Sequence, residues 1–581
     1  MVNIEKYLLS VDKPAQYLGN ELNAIHKKEF KSNMCLFFPD IYEIGMSSVG
    51  LRILYFILNK VEGFSLERAF SPMLDMEEHM RRDKVPMFSL ESKRELKEFD
   101  IIGFSVAYEL SYTNILNSLD LANIPLRVEE RTEEYPLIMA GGTCTMNPAP
   151  LEKFIDYFVI GDGEEAMVEV AKIMVDNFDK TKKEKLYLIK DIEGVYIPSL
   201  HKGKKIKRAI VKDLESTMYK GEQLVPYTSI VHDRAVIEIQ RGCTRGCRFC
   251  QAGMIYRPVR ERSLANNMML ISNAIKMTGY NEISLSSLSS SDYSQIGNLL
   301  RTVQTKYERD NISIQLPSLR MNPHSVEVAE RISKGKKTAF TFAPEAGSQR
   351  LRDIINKGVS EKDIFDTVES AVRAGWHSLK FYFMIGLPFE KDEDIIAIHD
   401  LIKRILSEAR LINKSINITV SVSNFVPKAH TPFQWVSQMT SEEMQHKHKI
   451  LKEFFYKTKG AFLKIHDMEA SFLEGVMARA DKKIGDLIEL VFKKGAKFDA
   501  WNDKFNLKIW LEAMEELEIN PLMYTGERKL EEELPWDFID TGINKEFYLR
   551  ELEKAKVEAL SPDCREKCLG CGMNKYINCG G

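Results

Sequence analysis

The chain has 581 residues, with 81 Lys and Arg against 84 Asp and Glu, a net charge of −3 and 44% apolar side chains. That length exceeds one hydrophobic core and predicts two to four domains. The near-neutral balance excludes a global field that gathers nucleic acid or membrane surface, so any polyanion site must be a local patch. No run of 18 apolar residues predicts a membrane helix, and the start, Met1 to Tyr7, lacks the basic and apolar regions of a secretory signal. Nine cysteines fall as two singles (Cys35, Cys144), a trio and a group of four near the end. Such clustering is metal-ligand usage rather than a disulfide framework, and it predicts a reducing cytoplasm.

In residues 1–175, short apolar runs at 34–38, 101–106, 137–140 and 157–160 read as strands, with helix-period stretches such as 49–61 and 113–122 between them. This alternation predicts an α/β domain with a doubly wound, Rossmann-like parallel sheet. Ligands of such sheets sit at the carboxyl ends of the strands. Here those ends carry Asp40, Ser105, the pair Gly141-Gly142, and Gly161 and Gly163. Residues 176–232 read as a connector, with basic runs at 180–185 and 201–208 and a hairpin from 192–198 and 206–211 over Gly203. The basic runs suit either phosphate contact or a solvated surface.

Residues 233–438 present strands at 236–240, 282–286, 312–317, 339–343, 379–385 and 418–425. Helical stretches at 264–278, 293–307, 324–334, 361–374 and 392–409 separate them, which predicts a partial (β/α)6 TIM-type barrel. The loop after the first strand holds Cys243, Cys247 and Cys250 in a C-x3-C-x2-C spacing, with Gly242 and Gly246 to bend the backbone. Three thiolates suit three irons of a [4Fe–4S] cubane and leave the fourth iron open. The alternative is a zinc knuckle, although zinc sites usually use paired C-x2-4-C ligands. Polar features end the later strands: Ser287, Ser290 and Asp292, then Arg320, Glu345 with Arg350 and Arg352, and Gly386. Each of these also suits a turn or a helix cap. Arg257 to Arg262 suits an anionic substrate or the barrel rim, and His430, in an aromatic and proline-rich stretch, suits acid–base or structural use.

Residues 439–555 read as a helical extension. The tail, 556–581, carries Cys564, Cys568, Cys571 and Cys579 as C-x3-C-x2-C-x7-C. Four soft thiolates suit a small closed zinc site or an auxiliary iron–sulfur cluster.

The stretch Arg241-Gly-Cys-Thr-Arg-Gly-Cys-Arg-Phe-Cys250, with aromatic Phe249 before the third cysteine, resembles the radical S-adenosylmethionine (radical SAM) superfamily. The resemblance implies that the open iron chelates SAM and that electron transfer yields a 5′-deoxyadenosyl radical. It implies SAM contacts at Ser287 and Ser290, in place of the family's Gly-Gly-Glu-like element, at Arg320 for the carboxylate, at Glu345 for the ribose and at Gly386 for the adenine.

The first third is similar to the cobalamin-binding domains found before many radical SAM cores. The carrying residues are Gly141-Gly142, Pro148 and Gly161 to Glu165. The family's D-x-H-x-x-G motif is nearest matched by Asp40-Ile-Tyr-Glu-Ile-Gly45, with Tyr42 in the histidine's place. This departure implies a corrin bound without a lower histidine, or a domain that keeps the fold as a substrate platform.

The whole chain is similar to B12-binding-domain radical SAM proteins. The implied function is SAM-radical chemistry with cobalamin-dependent methyl transfer, supplied with electrons by a flavodoxin- or ferredoxin-type protein. One alternative is cobalamin-independent, methylthiotransferase-like modification of RNA or protein. The other is a noncatalytic electron carrier or cobalamin-handling module. The substrate, whether small molecule, RNA or protein, is not named by the sequence.

Overall fold

The computed structural model describes residues 2–577 and 579, apart from 318, 322–324, 328, 329 and 331–339. The first sheet comprises β1 (Ser32–Phe38), β2 (Phe64–Phe70), β3 (Ile101–Ser105), β4 (Leu137–Gly141), β5 (Tyr157–Val159) and β6 (Val195–Tyr196) in the order β2-β1-β3-β4-β5-β6. The first five strands run parallel, and β6 runs antiparallel to β5. Both faces are covered: Met34, Leu36 and Phe38 enter one core while Cys35 and Phe37 enter another. Burial on both faces is why these strands read as continuous apolar runs.

β2 escapes that reading. All seven of its residues are buried, yet its centre is Glu67-Arg68. Arg68 is held there by Glu21 at 2.7 Å and Glu91 at 2.6 Å, from the segments that flank this edge. Buried charge is tolerated when paired, and the pairing partners lie 47 and 23 residues away.

After β7 (Ile206–Lys207) come β8 (Ala235–Glu238), β9 (Gln240–Arg241), β10 (Arg260–Glu261), β11 (Glu282–Ser286) and β12 (Ser313–Gln315). β13 (Phe340–Glu345), β14 (Ser378–Ile385), β15 (Asn417–Asn424), β16 (Ala461–Ile465) and β17 (Ile539–Asp540) complete the strands described. β12-β11-β8 and β13-β14-β15-β16 form two parallel sheets. Six of these strands are those expected between 236 and 425, with helices such as Leu264–Thr278, Glu361–Arg373 and Asp392–Ile412 between them. The helix expected at 324–334 lies largely outside the described residues. The chain is therefore a mixed α/β protein built on parallel sheets.

Two expectations are corrected. The segments at 192–198 and 206–211 form no hairpin: β6 joins the first sheet, and β7 pairs with β17. The stretch after 439 is not helical throughout, since β16 extends the sheet beside β15. Alternate residues of β16 are exposed, so its apolar signal is thin.

The parts share cores. Ala235, Ile237, Ile283 and Leu285 of β8 and β11 join the cluster that contains Met34 and Leu36 of β1. On the opposite face of the first sheet, Leu473, Leu487 and Trp510 from helices Met468–Ala478, Ile484–Lys493 and Leu507–Glu516 pack with Phe37 and Phe104. The C-terminal helices thus fold back over the N-terminal sheet.

Candidate functional site

The cysteine loop leaves β9 at Gly242, whose φ is 85°. A Cβ there would meet the carbonyl oxygens of Tyr256 and Pro258 at 2.5 and 2.6 Å, so only glycine fits. Cys243, Cys247 and Cys250 are half-buried. Burial pushes the Cys243 thiol up to about 12 and the Cys250 thiol up to about 11, and Cys247 adds to both shifts. Three thiols so close disfavour one another's anions, a conflict that a bound cation removes. Among the described residues no three ligating side chains already stand as a metal site. Spacing, softness and mutual proximity nevertheless fit a cysteine-held iron–sulfur cluster.

Glu345 ends β13 after a register shift and adopts a left-handed φ of 68°. Its carboxylate bonds Lys357 at 3.0 Å. Burial lowers the Lys357 amine, but Glu345 and the nearby Cys247 and Cys250 outweigh it and raise it. Sequence reading missed Lys357, because its role depends on a partner 12 residues away across a loop. Asp292 binds Arg245 of the cysteine loop through two bonds of 2.7 and 3.1 Å. Ser287 lies 3.1 Å from Ser290, whose own hydroxyl is buried and donates to the Leu285 carbonyl at 2.9 Å. The Arg320 guanidinium donates to the Gly358 carbonyl, and its backbone N–H donates to Ser291 at 3.0 Å. Gly386 has φ 78°, and its N–H donates to Glu390 at 2.7 Å. Phe249 packs on the C-terminal core beside Met254 and Phe547.

Several candidates turn out to be structural. Arg352 is fully buried and donates to the carbonyls of Ala346, Gly347 and Val359, and Arg350 pairs with Asp394 at 2.5 Å. Arg257, Arg260 and Arg262 spend their donors on protein groups: Gly253 and Arg245 carbonyls, Asp162, and the Leu214 and Glu238 carbonyls. None of the three is free to rim an anion site. His430 is buried, shares a hydrogen bond with the Met146 carbonyl at 2.9 Å, and is pushed down to about 4 by burial. It is neutral at physiological pH and is occupied structurally.

A cavity of about 340 Å³ opens where the first sheet meets the central one. Its lining joins Ser105, Gly141, Gly142, Gly161 and Gly163 at the ends of β3 to β5 with Gly242 before Cys243 and with Ser287 beyond β11. Leu36, Val49, Ile53, Leu54, Phe104 and Met139 supply an apolar wall. Gly50 also lines it, and a Cβ on Gly50 would meet nothing within 4 Å. The charged side consists of Asp162, Glu164, Glu238 and Arg241. Arg241 bonds Glu164 at 2.5 Å, Glu238 at 2.9 Å and Asp162 at 3.1 Å. Burial raises the Asp162 carboxyl, but Arg241 and Arg260 outweigh it and hold it at about 2. This network was not legible, since its members come from three separate segments, 162–164, 238–241 and Arg260.

The Asp40 to Gly45 motif does not reach this cavity. Asp40 accepts from Trp501 at 3.0 Å, and Tyr42 is buried with its hydroxyl on Glu21 at 2.9 Å. A Cβ on Gly45 would strike the Phe70 ring at 2.2 Å. Tyr42 and Gly45 pack against N-terminal residues and Asp40 against Trp501 of the C-terminal part, so all three serve packing at the end of β1. In the tail, Cys564 and Cys571 are half-buried while Cys568 and Cys579 are exposed.

Residues 50–198 match the family described as radical SAM proteins, N-terminal, and residues 237–402 match the radical SAM superfamily. The chain carries both domains in that order and is a radical SAM superfamily enzyme, a class that implies a [4Fe–4S] cluster and SAM. An uncharacterised protein of Methanocaldococcus jannaschii is 29% identical over 460 residues, 79% of this chain and 90% of that protein. An uncharacterised methyltransferase of Pyrococcus horikoshii is 23% identical over 328 residues, covering 52% of this chain and 64% of that one. The solved cobalamin-dependent SAM radical enzyme OxsB, with aqua-cobalamin and SAM bound, aligns at TM-score 0.48 and 14% identity, over 90% of this chain and 79% of its own. No helix among the described residues is long and apolar enough to cross a membrane.

Proposed function

We propose that this enzyme holds a [4Fe–4S] cluster on Cys243, Cys247 and Cys250, binds SAM beside it, and carries cobalamin in the neighbouring cavity for methyl transfer to an unactivated position. The observation that carries the reading is the cavity itself. Its glycine-edged strand ends and the start of the cysteine loop line one space. The relative from P. horikoshii, named a methyltransferase, supports the reaction class.

Cysteine thiolates from this loop would hold the cluster, which when bound supplies an electron to SAM. Glu345, fixed by Lys357, would accept hydrogen bonds from the ribose, and the backbone at Gly386 allows close approach of the base. Arg245 and Asp292 hold the loop's polar side. Among the described residues no histidine or cysteine lines the cavity, so its lining would offer a corrin an apolar wall and no imidazole or thiolate ligand. That wall excludes water from one side of the site. A flavodoxin- or ferredoxin-type donor would supply the electron, and we read the central strands as a partial barrel around this site.

The test is anaerobic reconstitution with iron, sulfide and cobalamin, followed by desalting. Retained corrin with four irons, and 5′-deoxyadenosine formed from SAM on reduction, is the expected result. Formation of 5′-deoxyadenosine without corrin retention would replace this reading with cobalamin-independent modification. Absence of both would leave an electron carrier.

A further inference from the structure

The C-terminal tail lies on the loop between the cluster cysteines. The Asp563 carboxylate accepts from the Thr244 hydroxyl at 2.8 Å and pairs with Arg245 at 2.9 Å. The Cys564 N–H donates to the Thr244 carbonyl at 3.3 Å. Arg565 reaches across to the Asp292 carbonyl at 2.6 Å. Further along, buried Arg248 donates to the Ala559 carbonyl at 2.7 Å. Asn356 joins the Gly246 carbonyl to the Ser561 N–H, at 3.1 and 2.9 Å. Every residue from Thr244 to Gly246 thus meets the tail directly or through one partner.

The tail has little of its own to hold it there. Among its described residues from 562 onward only Met573 is fully buried. A segment this poor in apolar burial cannot offset the entropy of ordering it, and short segments without a core are held by disulfides or metals. The chain supplies thiols for the second device. Cys564 is anchored on the cluster loop, and the Cys571 carbonyl accepts from the Asn544 N–H at 2.9 Å. Gly570 and Gly572 take left-handed φ of 63° and 107°, which lets the backbone turn tightly about Cys571. The four thiols fall within one 16-residue stretch in a C-x3-C-x2-C-x7-C spacing.

We propose that Cys564, Cys568, Cys571 and Cys579 bind one zinc ion as a closed tetrathiolate, and that this ion fastens the tail over the cluster loop. Four thiolates leave zinc no open position, which makes the site structural rather than catalytic. Binding displaces the thiol protons to solvent and involves no electron transfer. The proposal stands whether or not cobalamin occupies the neighbouring cavity.

The test uses the full chain purified under anaerobic conditions, supplied with zinc and then reconstituted with iron and sulfide. Wild type retains one zinc beside four irons per chain. Cys568→Ser, whose thiol is exposed and away from the cluster loop, loses the zinc, keeps the four irons and is cut by protease in its tail at least tenfold faster. Asp563→Ala keeps the zinc but loses iron to a chelator severalfold faster than wild type. Circular dichroism establishes that both variants fold. Eight irons with sulfide and no zinc in wild type would overturn the zinc assignment. Unchanged zinc and proteolysis in Cys568→Ser would overturn the site.

Discussion

Arg241→Met removes the cation that ties the cavity wall to the cysteine loop. Arg241 pairs with Asp162, Glu164 and Glu238. Asp162 keeps Arg260, and Glu238 keeps Arg262 at 3.9 Å. Glu164 keeps no other ion pair within 4 Å among the described residues. One buried carboxylate is therefore stranded, and stranding a buried charge costs about 3–5 kcal/mol. For 581 residues unfolding as one unit, the unfolding entropy is about 1.2 kcal/mol/K. The loss corresponds to a Tm lower by about 3 °C at pH 7. The pH dependence has a definite sign. Asp162 is held at about 2, below its unfolded value, so its contribution is present above about pH 4 and fades as pH falls toward 2. Arg241 is a main cause of that depression, so the gap between wild type and variant must narrow over the same window. The assay is thermal unfolding by circular dichroism from pH 7 to pH 3. Adding Glu164→Gln to the variant should recover most of the loss. A Tm difference below 1 °C at pH 7, or one that does not change with pH, would refute the reasoning.

Cys243→Ala, Cys247→Ala and Cys250→Ala should each abolish 5′-deoxyadenosine formation from SAM by reduced protein, measured by chromatography; activity persisting in all three would sink the cluster assignment. Arg248→Met leaves Glu551 with Lys554 at 3.0 Å and with the Ser561 hydroxyl, but strands the carbonyls of Ile354 and Ala559. It should lower Tm by about 2 °C, from about 1–3 kcal/mol for each unpaired carbonyl, and a neutral effect would show these bonds to be dispensable. His430, pushed down to about 4 by burial, binds a proton in the unfolded chain first. Wild type should lose about 3 kcal/mol as pH falls from 6.5 to 4. His430→Asn should flatten that part of the stability profile in pH-dependent melting.

What could be read from the sequence follows from how local each cause is. Strands buried on both faces announce themselves as unbroken apolar runs, and β1, β3, β4 and β8 were legible for that reason, whereas β14 and β15 were legible from alternating apolar residues. β2 was not, because its Arg68 is neutralised by Glu21 and Glu91 from distant segments. The cysteine trio stood out because close spacing is a local signal, and the placement of Glu345 and Gly386 at the ends of β13 and β14 was legible because strand ends are local.

The Asp40 to Gly45 motif shows the opposite case. Its residue types suit a corrin loop, but Tyr42 satisfies Glu21 and Gly45 clears the Phe70 ring. Spacing alone cannot tell a ligand loop from a packing loop, since both need a polar start and a glycine end. Where the two differ is in what lies across the fold. Across from Asp40 to Gly45 lie Trp501, Glu21, Lys13 and Gln16, which take up the side chains of Asp40, Tyr42 and Glu43. Gly141, Gly161 and Gly242 instead line the cavity, and the proposed site rests on them.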